Sequence, residues 1–375
     1  MQPPSDPRHA CDEAFPGRHV LRLIRRAVER HRLDLGGLGV LTEAGVGYRR
    51  VTPVIAGLAG ASVVYAVARD SLEAPRRAAE EQTRYLCDLA GLGERVRFVA
   101  NRLQAGLGEV DVVTDLPGVR PVDEAVLRNI GEGAAVTLMK GVAHWRAADV
   151  DAATCRRRGV AVAGVDEDGV DLYRFLPDAA TWGMLQLGVA VAGAVVVLAG
   201  DGPMWSKIAR GLAAGGARVL AAVPDSSGRA SLCGAEKVAD ALPEAVAAGA
   251  LAEADALVLC PSDPEARTIH VRGWIEAAAL AAVAPHLAVV SLSGEVDRRG
   301  LAGAGLRSWP GAGDPAPFEF LPAPLIELHV AGLKVGEVMA RARRRGSSSL
   351  AAEQAAAVEA HAELLPKDLA AAARR

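Results

Sequence analysis

The chain has 375 residues, enough for two domains that each close a core of their own. Half of it is hydrophobic (51%) but only 4% is aromatic, so the core must be built from Ala, Val and Leu. A formal net charge of -3 excludes the strongly basic balance of a nucleic-acid binder. The five cysteines, Cys11, Cys87, Cys155, Cys233 and Cys260, are scattered, with no paired spacing and no Cys/His ligand pattern. They predict a reduced, cytoplasmic interior with no metal site. The N-terminus carries no apolar signal core, and the most apolar stretch, Leu185–Ala199, is too short and glycine-broken to span a bilayer.

In chain order, residues up to about Pro16 read as a loose tail. His19–Arg32 reads as an amphipathic helix with arginines on its solvent face. Leu38–Leu41 reads as a strand. A glycine-bearing loop, Thr42 to Arg50, leads to a helix from Thr52-Pro53 to Leu58. Strands follow at Ser62–Ala68, Val96–Val99, Val110–Thr114 and Ala135–Met139, with helices at Pro75–Ala90 and Asp123–Asn129. Alternating elements of this kind predict a mainly parallel sheet covered on both faces.

A second α/β run begins near Leu187, with strands at Val195–Leu198, Arg218–Val223, Ala256–Leu259 and Leu287–Ser291. Trp309–Pro324 reads as irregular, Leu333–Arg343 as a helix returning to the first unit, and the end as an appended helix. The expectation is α/β, with two doubly wound Rossmann-like domains and a cleft between them. The outer, substrate domain is 18–186 plus 325–345. The nucleotide-binding domain is 187–324, and 346–375 is a C-terminal helical extension.

The passage Val195–Ser226 carries the clearest chemical signal. An apolar strand runs into Gly200-Asp201-Gly202, then a helix, then a second strand ending near Asp225. Glycines at such a turn let the backbone approach a pyrophosphate, and the helix N-terminus offers free N–H groups. Asp225 stands where a dinucleotide fold places its ribose-binding acid. Arg229 nearby keeps NADP open beside NAD. Trp205 takes the place of the third glycine, where it is expected to crowd the phosphates, and Asp201 would set a carboxylate beside them.

Several blocks, in order, resemble the D-2-hydroxyacid dehydrogenases, as a divergent relative. They are Asp149–Val162 with its Arg158-Gly159-Val160, the Gly200/Gly202 turn, Leu257–Thr268 with Cys260-Pro261, Val289–Asp297, and His329-Val330-Ala331-Gly332 with Glu337 beyond. Together they cover about Val136 to Glu337. A fainter likeness, Gly47-Tyr48-Arg49-Arg50-Val51-Thr52-Pro53, points to the alanine dehydrogenases.

The resemblance implies an NAD(P)-dependent oxidoreductase of small carboxylate metabolites, biosynthetic and a homodimer, with no nucleic-acid or membrane partner. His329 would be its acid/base, with Asp314 or Glu319 the nearest acids to partner it. Gly200, Gly202, Asp225, Cys260, Pro261 and Ser293 would border the cofactor. Ser293 stands where the family has an arginine that grips the substrate carboxylate, a bidentate contact serine cannot make. Lys140, one of five lysines, follows an apolar strand, where open sheets place ligands. It is a second catalytic candidate, with Glu43, Arg49, Arg50 and His144 as substrate-binding residues. The departures leave two alternatives: a non-redox enzyme (lyase, hydrolase or ligase-like) on the same scaffold, or a binding protein that senses a nucleotide.

Overall fold

The computed structural model describes residues 16–71, 74–224, 229–311 and 321–366. The chain divides into two compact units, 1–172 with 321–375, and 173–320.

The first unit begins with helix α1 (Gly17–Arg30), which buries Val20, Leu21, Ile24 and Ala27 and turns its arginines outward. Six strands follow: β1 (Gly39–Glu43), β2 (Val63–Val67), β3 (Val96–Val99), β4 (Val112–Thr114), β5 (Ala135–Thr137) and β6 (Ala161–Val165). Helices α2 (Val51–Leu58) and α3 (Arg76–Leu89) connect the early ones. The ladders are all parallel, β1 pairing with both β2 and β4. Strands β1, β2, β4 and β5 are buried on both faces, as a sheet covered by helices on either side requires.

In the second unit, helix α4 (Leu176–Gln186) precedes β7 (Val195–Gly200), helix α5 (Met204–Ala214), β8 (Arg218–Ala222), β9 (Ala235–Ala239) and β10 (Ala256–Cys260). Then come β11 (Arg267–Ile269), β12 (Ala288–Ser291), β13 (Glu295–Val296) and β14 (Arg307–Trp309). The main sheet runs β14-β12-β10-β7-β8-β9, and β11 and β13 form a separate short ladder. The boundary differs from the sequence expectation. Helix α4 belongs to the second unit, because Leu176, Ala180 and Met184 share a core with Val196, Ile208 and Trp309. Trp205 lies in that same core at 3% exposed, so its indole is packed inward and does not crowd the turn.

The chain then returns through helix α6 (Pro322–Arg344), helix α7 (Ser349–Glu359) and β15 (Ala362–Leu364). Helix α6 starts eleven residues before the expected point, since prolines at the start of a helix cost no internal hydrogen bond. It packs on β4, β5 and β6. The C-terminal segment is no appendage: β15 pairs antiparallel with β6, and Ala352 and Ala356 of α7 are buried against α6. The first sheet therefore reads β15-β6-β5-β4-β1-β2-β3. None of the described helices is long and apolar enough to cross a membrane.

Helix α6 lies so close to the sheet that a Cβ on Gly336 would stand 2.5 Å from Val112 Cγ1. Gly336→Val should overpack this contact and lower stability by about 1–3 kcal/mol. Urea unfolding checks this, and an unchanged midpoint would mean that the helix can shift away without cost.

Candidate functional site

Both sheets reverse their winding at one place. In the second unit this is between β7 and β10, and in the first between β1 and β4. At such a switch the connections leave toward opposite faces, and the carboxyl ends of the two strands stay open to a ligand.

In the second unit the switch gathers most of the residues expected around a cofactor. Gly200 pairs with Cys260 across the β7–β10 ladder, and a Cβ on Gly200 would lie 2.3 Å from the Cys260 carbonyl oxygen. Gly202 has φ +72°, in the left-handed region that favours glycine. Asp201 is turned onto the neighbouring strand end. Its Oδ1 accepts from the Ser262 N–H at 2.7 Å and its Oδ2 from the Ser262 hydroxyl at 2.8 Å. Helix α5 begins directly after, with no side chain capping its N-terminus.

Pro261 is buried, and its ring lies 2.7 Å from where a Cβ on Gly294 would be, which brings the end of β12 alongside. There the Ser293 carbonyl accepts from the Ser291 hydroxyl at 3.0 Å. Cys260 is fully buried, and burial pushes its thiol well above the ordinary range, so it is a small core group here rather than a nucleophile. Asp225, Asp314 and Glu319 lie outside the described residues.

In the first unit Glu43 ends β1 and is 5% exposed. Its Oε2 accepts from the Gly118 N–H at 2.7 Å, across the switch, while Oε1 is buried without a hydrogen-bond partner among the described residues. Burial drives the carboxyl up to about 7, against the Gly118 hydrogen bond and the charges of Arg49, Arg120 and Arg69. The turn Gly47–Arg50 follows, held by hydrogen bonds from Gly45 N–H to Thr83 and from Gly47 N–H to Gln82. Arg50 is buried and Arg49 is partly exposed.

His329 belongs to this same neighbourhood, within helix α6 and ahead of the helix start expected at Leu333. It is 3% exposed, and its Nδ1 lies 2.6 Å from the Thr52 hydroxyl. Burial, and behind it the Arg49 charge, hold the imidazole down at about 3. A ring so strongly neutral is poorly matched to proton transfer near neutral pH.

Lys140 sits after β5 in a charge cluster that sequence reading missed. Its Nζ is 3.8 Å from Asp115 and 3.7 Å from Asp149. Arg120 pairs with the same two carboxylates, at 3.2 and 3.1 Å. Asp115 also accepts the Met139 N–H at 2.7 Å, and burial raises its carboxyl against the pull of Arg120 and Lys140. Lys140 is lowered by burial, and Asp115 opposes that shift. Arg120 links this cluster to Glu43 through its charge. His144 is exposed in the turn beyond Gly141. Asp115 had the same signal as Lys140, a charged residue following an apolar strand. Among the described residues no group of His, Cys, Asp and Glu could hold a metal ion.

No protein-family model and no curated protein matches the sequence. Solved structures match it in fold. The chain is similar to a dipicolinate synthase subunit from Bacillus halodurans, at 16% identity over 82% of this chain and 99% of that one, with a TM-score of 0.55. It is similar to a dipicolinate synthase chain from Bacillus subtilis, at 16% identity over 84% and 100%, with a TM-score of 0.57. The likeness to D-lactate dehydrogenase with NAD+ from Lactobacillus jensenii is looser, at 13% identity over 81% and 97%, with a TM-score of 0.46. At these identities what is shared is the fold, α/β with two doubly wound Rossmann-like units.

The buried imidazole gives a pH signature. His329 is neutral in the folded chain down to about 3 and takes a proton from 6.5 downward when unfolded, so the fold loses stability as pH falls through that window. The stability gap between wild type and His329→Gln should narrow toward acid by at most about 1.4 kcal/mol per pH unit. Urea unfolding at stepped pH reads it, and a gap constant with pH would contradict a buried neutral ring.

Proposed function

We propose that the chain is an NAD(P)-dependent oxidoreductase acting on a small carboxylate-bearing metabolite. The observation that carries this reading is the Gly200–Gly202 turn, which stands at the switch of a 3-2-1-4-5-6 parallel sheet and opens directly onto an uncapped helix. A nicotinamide dinucleotide, when bound, supplies or accepts a hydride.

The residues at the turn fit such a group. Gly202 gives the backbone room, and the start of α5 presents N–H groups toward a pyrophosphate. The inward packing of Trp205 removes the expected crowding, and the two hydrogen bonds from Ser262 draw the Asp201 charge aside. Pro261 and Ser293 would border the cofactor.

On the first unit, Arg49, Arg50 and Lys140 would neutralise a substrate carboxylate, the task that Ser293 cannot perform. His329 would act there as a neutral positioning residue, its ring fixed by Thr52. His144, exposed one turn beyond Lys140, would meet substrate at the periphery. The two alternatives weighed from the sequence remain as outcomes of the test.

If the reading holds, NAD or NADP at about a hundred times its Kd stabilises the protein by about 2.7 kcal/mol, which raises the melting temperature. In Gly202→Ala, a Cβ at positive φ and 2.9 Å from Ser262 Cβ should weaken that binding about tenfold or more, a free-energy change of about 1.4 kcal/mol. Absence of any shift with either dinucleotide would remove the oxidoreductase reading and favour the non-redox enzyme. Binding without turnover across small 2-hydroxy and 2-amino acids would favour the nucleotide sensor.

A further inference from the structure

We propose that the β1–β4 switch of the first unit is a proton-linked binding site for a small carboxylate, in which Glu43 Oε1 carries the proton that bonds the ligand. The inference rests on the reading that this unit binds the substrate, and it assigns the proton to a residue that reading leaves without a role.

Three observations converge on Glu43. It ends β1 beside the strand where the winding reverses, the position at which doubly wound sheets hold ligands. Its two oxygens are inequivalent: Oε2 is fixed by the Gly118 N–H, and Oε1 is buried with no partner among the described residues. Buried polar atoms are rarely left so, and such an atom at a strand end is a group awaiting one. Finally, three guanidinium charges from three separate connections act on it: Arg49 after β1, Arg69 after β2 and Arg120 after β4.

A carboxylate ligand attracted by those arginines would meet Glu43 as a like charge unless Glu43 is protonated. The protonated acid turns repulsion into a hydrogen bond, Oε1–H donating to a ligand oxygen. The desolvated carboxyl, titrating at about 7, makes that proton available near neutral pH. The other titratable and charged groups around the switch are Asp115, paired with Arg120 and Lys140; Tyr48, raised by burial to about 12; and His329, held neutral down to about 3. Of these, Asp115, raised by burial, and Lys140, lowered by it, are the groups besides Glu43 whose titration would also weaken anion binding toward alkali.

Pyruvate and succinate serve as probes, titrated calorimetrically into the full chain from about pH 5.5 to about pH 8.5. Expected is a Kd that is flat below about pH 6 and weakens about tenfold per pH unit above about pH 7.5, with uptake of close to one proton per ligand on the alkaline side. In Glu43→Gln the Kd should be nearly independent of pH and the proton uptake lost. A slope that persists unchanged in Glu43→Gln would assign it to Asp115 or Lys140 and overturn the proposal. So would binding by the wild type with no proton uptake, or no binding of either acid across the range. Should the variant fail to fold, wild-type proton uptake, read in two buffers of different ionisation heat, decides alone. NAD and NADP are titrated into both proteins in parallel. Their failure to bind would sink the oxidoreductase reading, while the carboxylate titration still decides this one.

Discussion

A parallel strand cannot be joined to its neighbour by a tight turn, so each connection must cross a face of the sheet and return through a helix. Where successive connections change face, two adjacent strands end with nothing laid over them. Both units are built under this constraint, and both have the strand order 3-2-1-4-5-6, with β15 added to the first. What the protein can bind follows from what stands at those two open ends. In the second unit it is backbone, a glycine turn and a helix start. In the first it is charge, a buried acid with arginines around it.

The difference between the two switches is one of dielectric as much as of residue type. Asp201 lies at an exposed turn, where two hydrogen bonds from Ser262 settle its carboxylate. Glu43 and His329 lie inside, where ionisation is costly, and each shifts toward its neutral form. Their shifts link oppositely to stability. The raised Glu43 favours the fold on the acid side and loses that contribution as pH rises toward about 7. The depressed His329 favours the fold on the neutral side and loses it as pH falls below 6.5. Between pH 4.5 and 6.5 the two dependences oppose each other, so the first unit tolerates its buried polar groups best on the mildly acid side and loses part of that tolerance as Glu43 ionises toward about 7.

The parts of this arrangement that announce themselves along the chain are local. Apolar runs such as Val195–Leu198 and Ala256–Leu259 name buried strands, and Gly200-Asp201-Gly202 names the turn between strand and helix, because both signals depend on adjacent residues. What was not legible depends on distant partners. Trp205 reads as an obstruction until its rotamer is known to point into the core beside Leu176 and Ile208. The expected helix starts only at Leu333, beyond His329, whereas prolines are tolerated at the first turn of α6, which takes His329 into the helix. The pairing of β15 with β6 joins segments nearly two hundred residues apart, and no local pattern near Ala362 reports it. The same holds for Glu43, whose character comes from its burial in the fold and from Gly118, Arg120 and Arg69 as much as from Arg49 in its own loop.

The central claim is that the open end between β7 and β10 is where a dinucleotide sits. Backbone hydrogen exchange with and without NAD or NADP tests it most directly, because the ligand is expected to bond to amides rather than to side chains. The account predicts slowed exchange at the amides of the turn and first helical residues, 200–202 and 204–205, and of the facing strand end, 262–263. Protection absent from those amides, or confined to residues of the first unit, would contradict it.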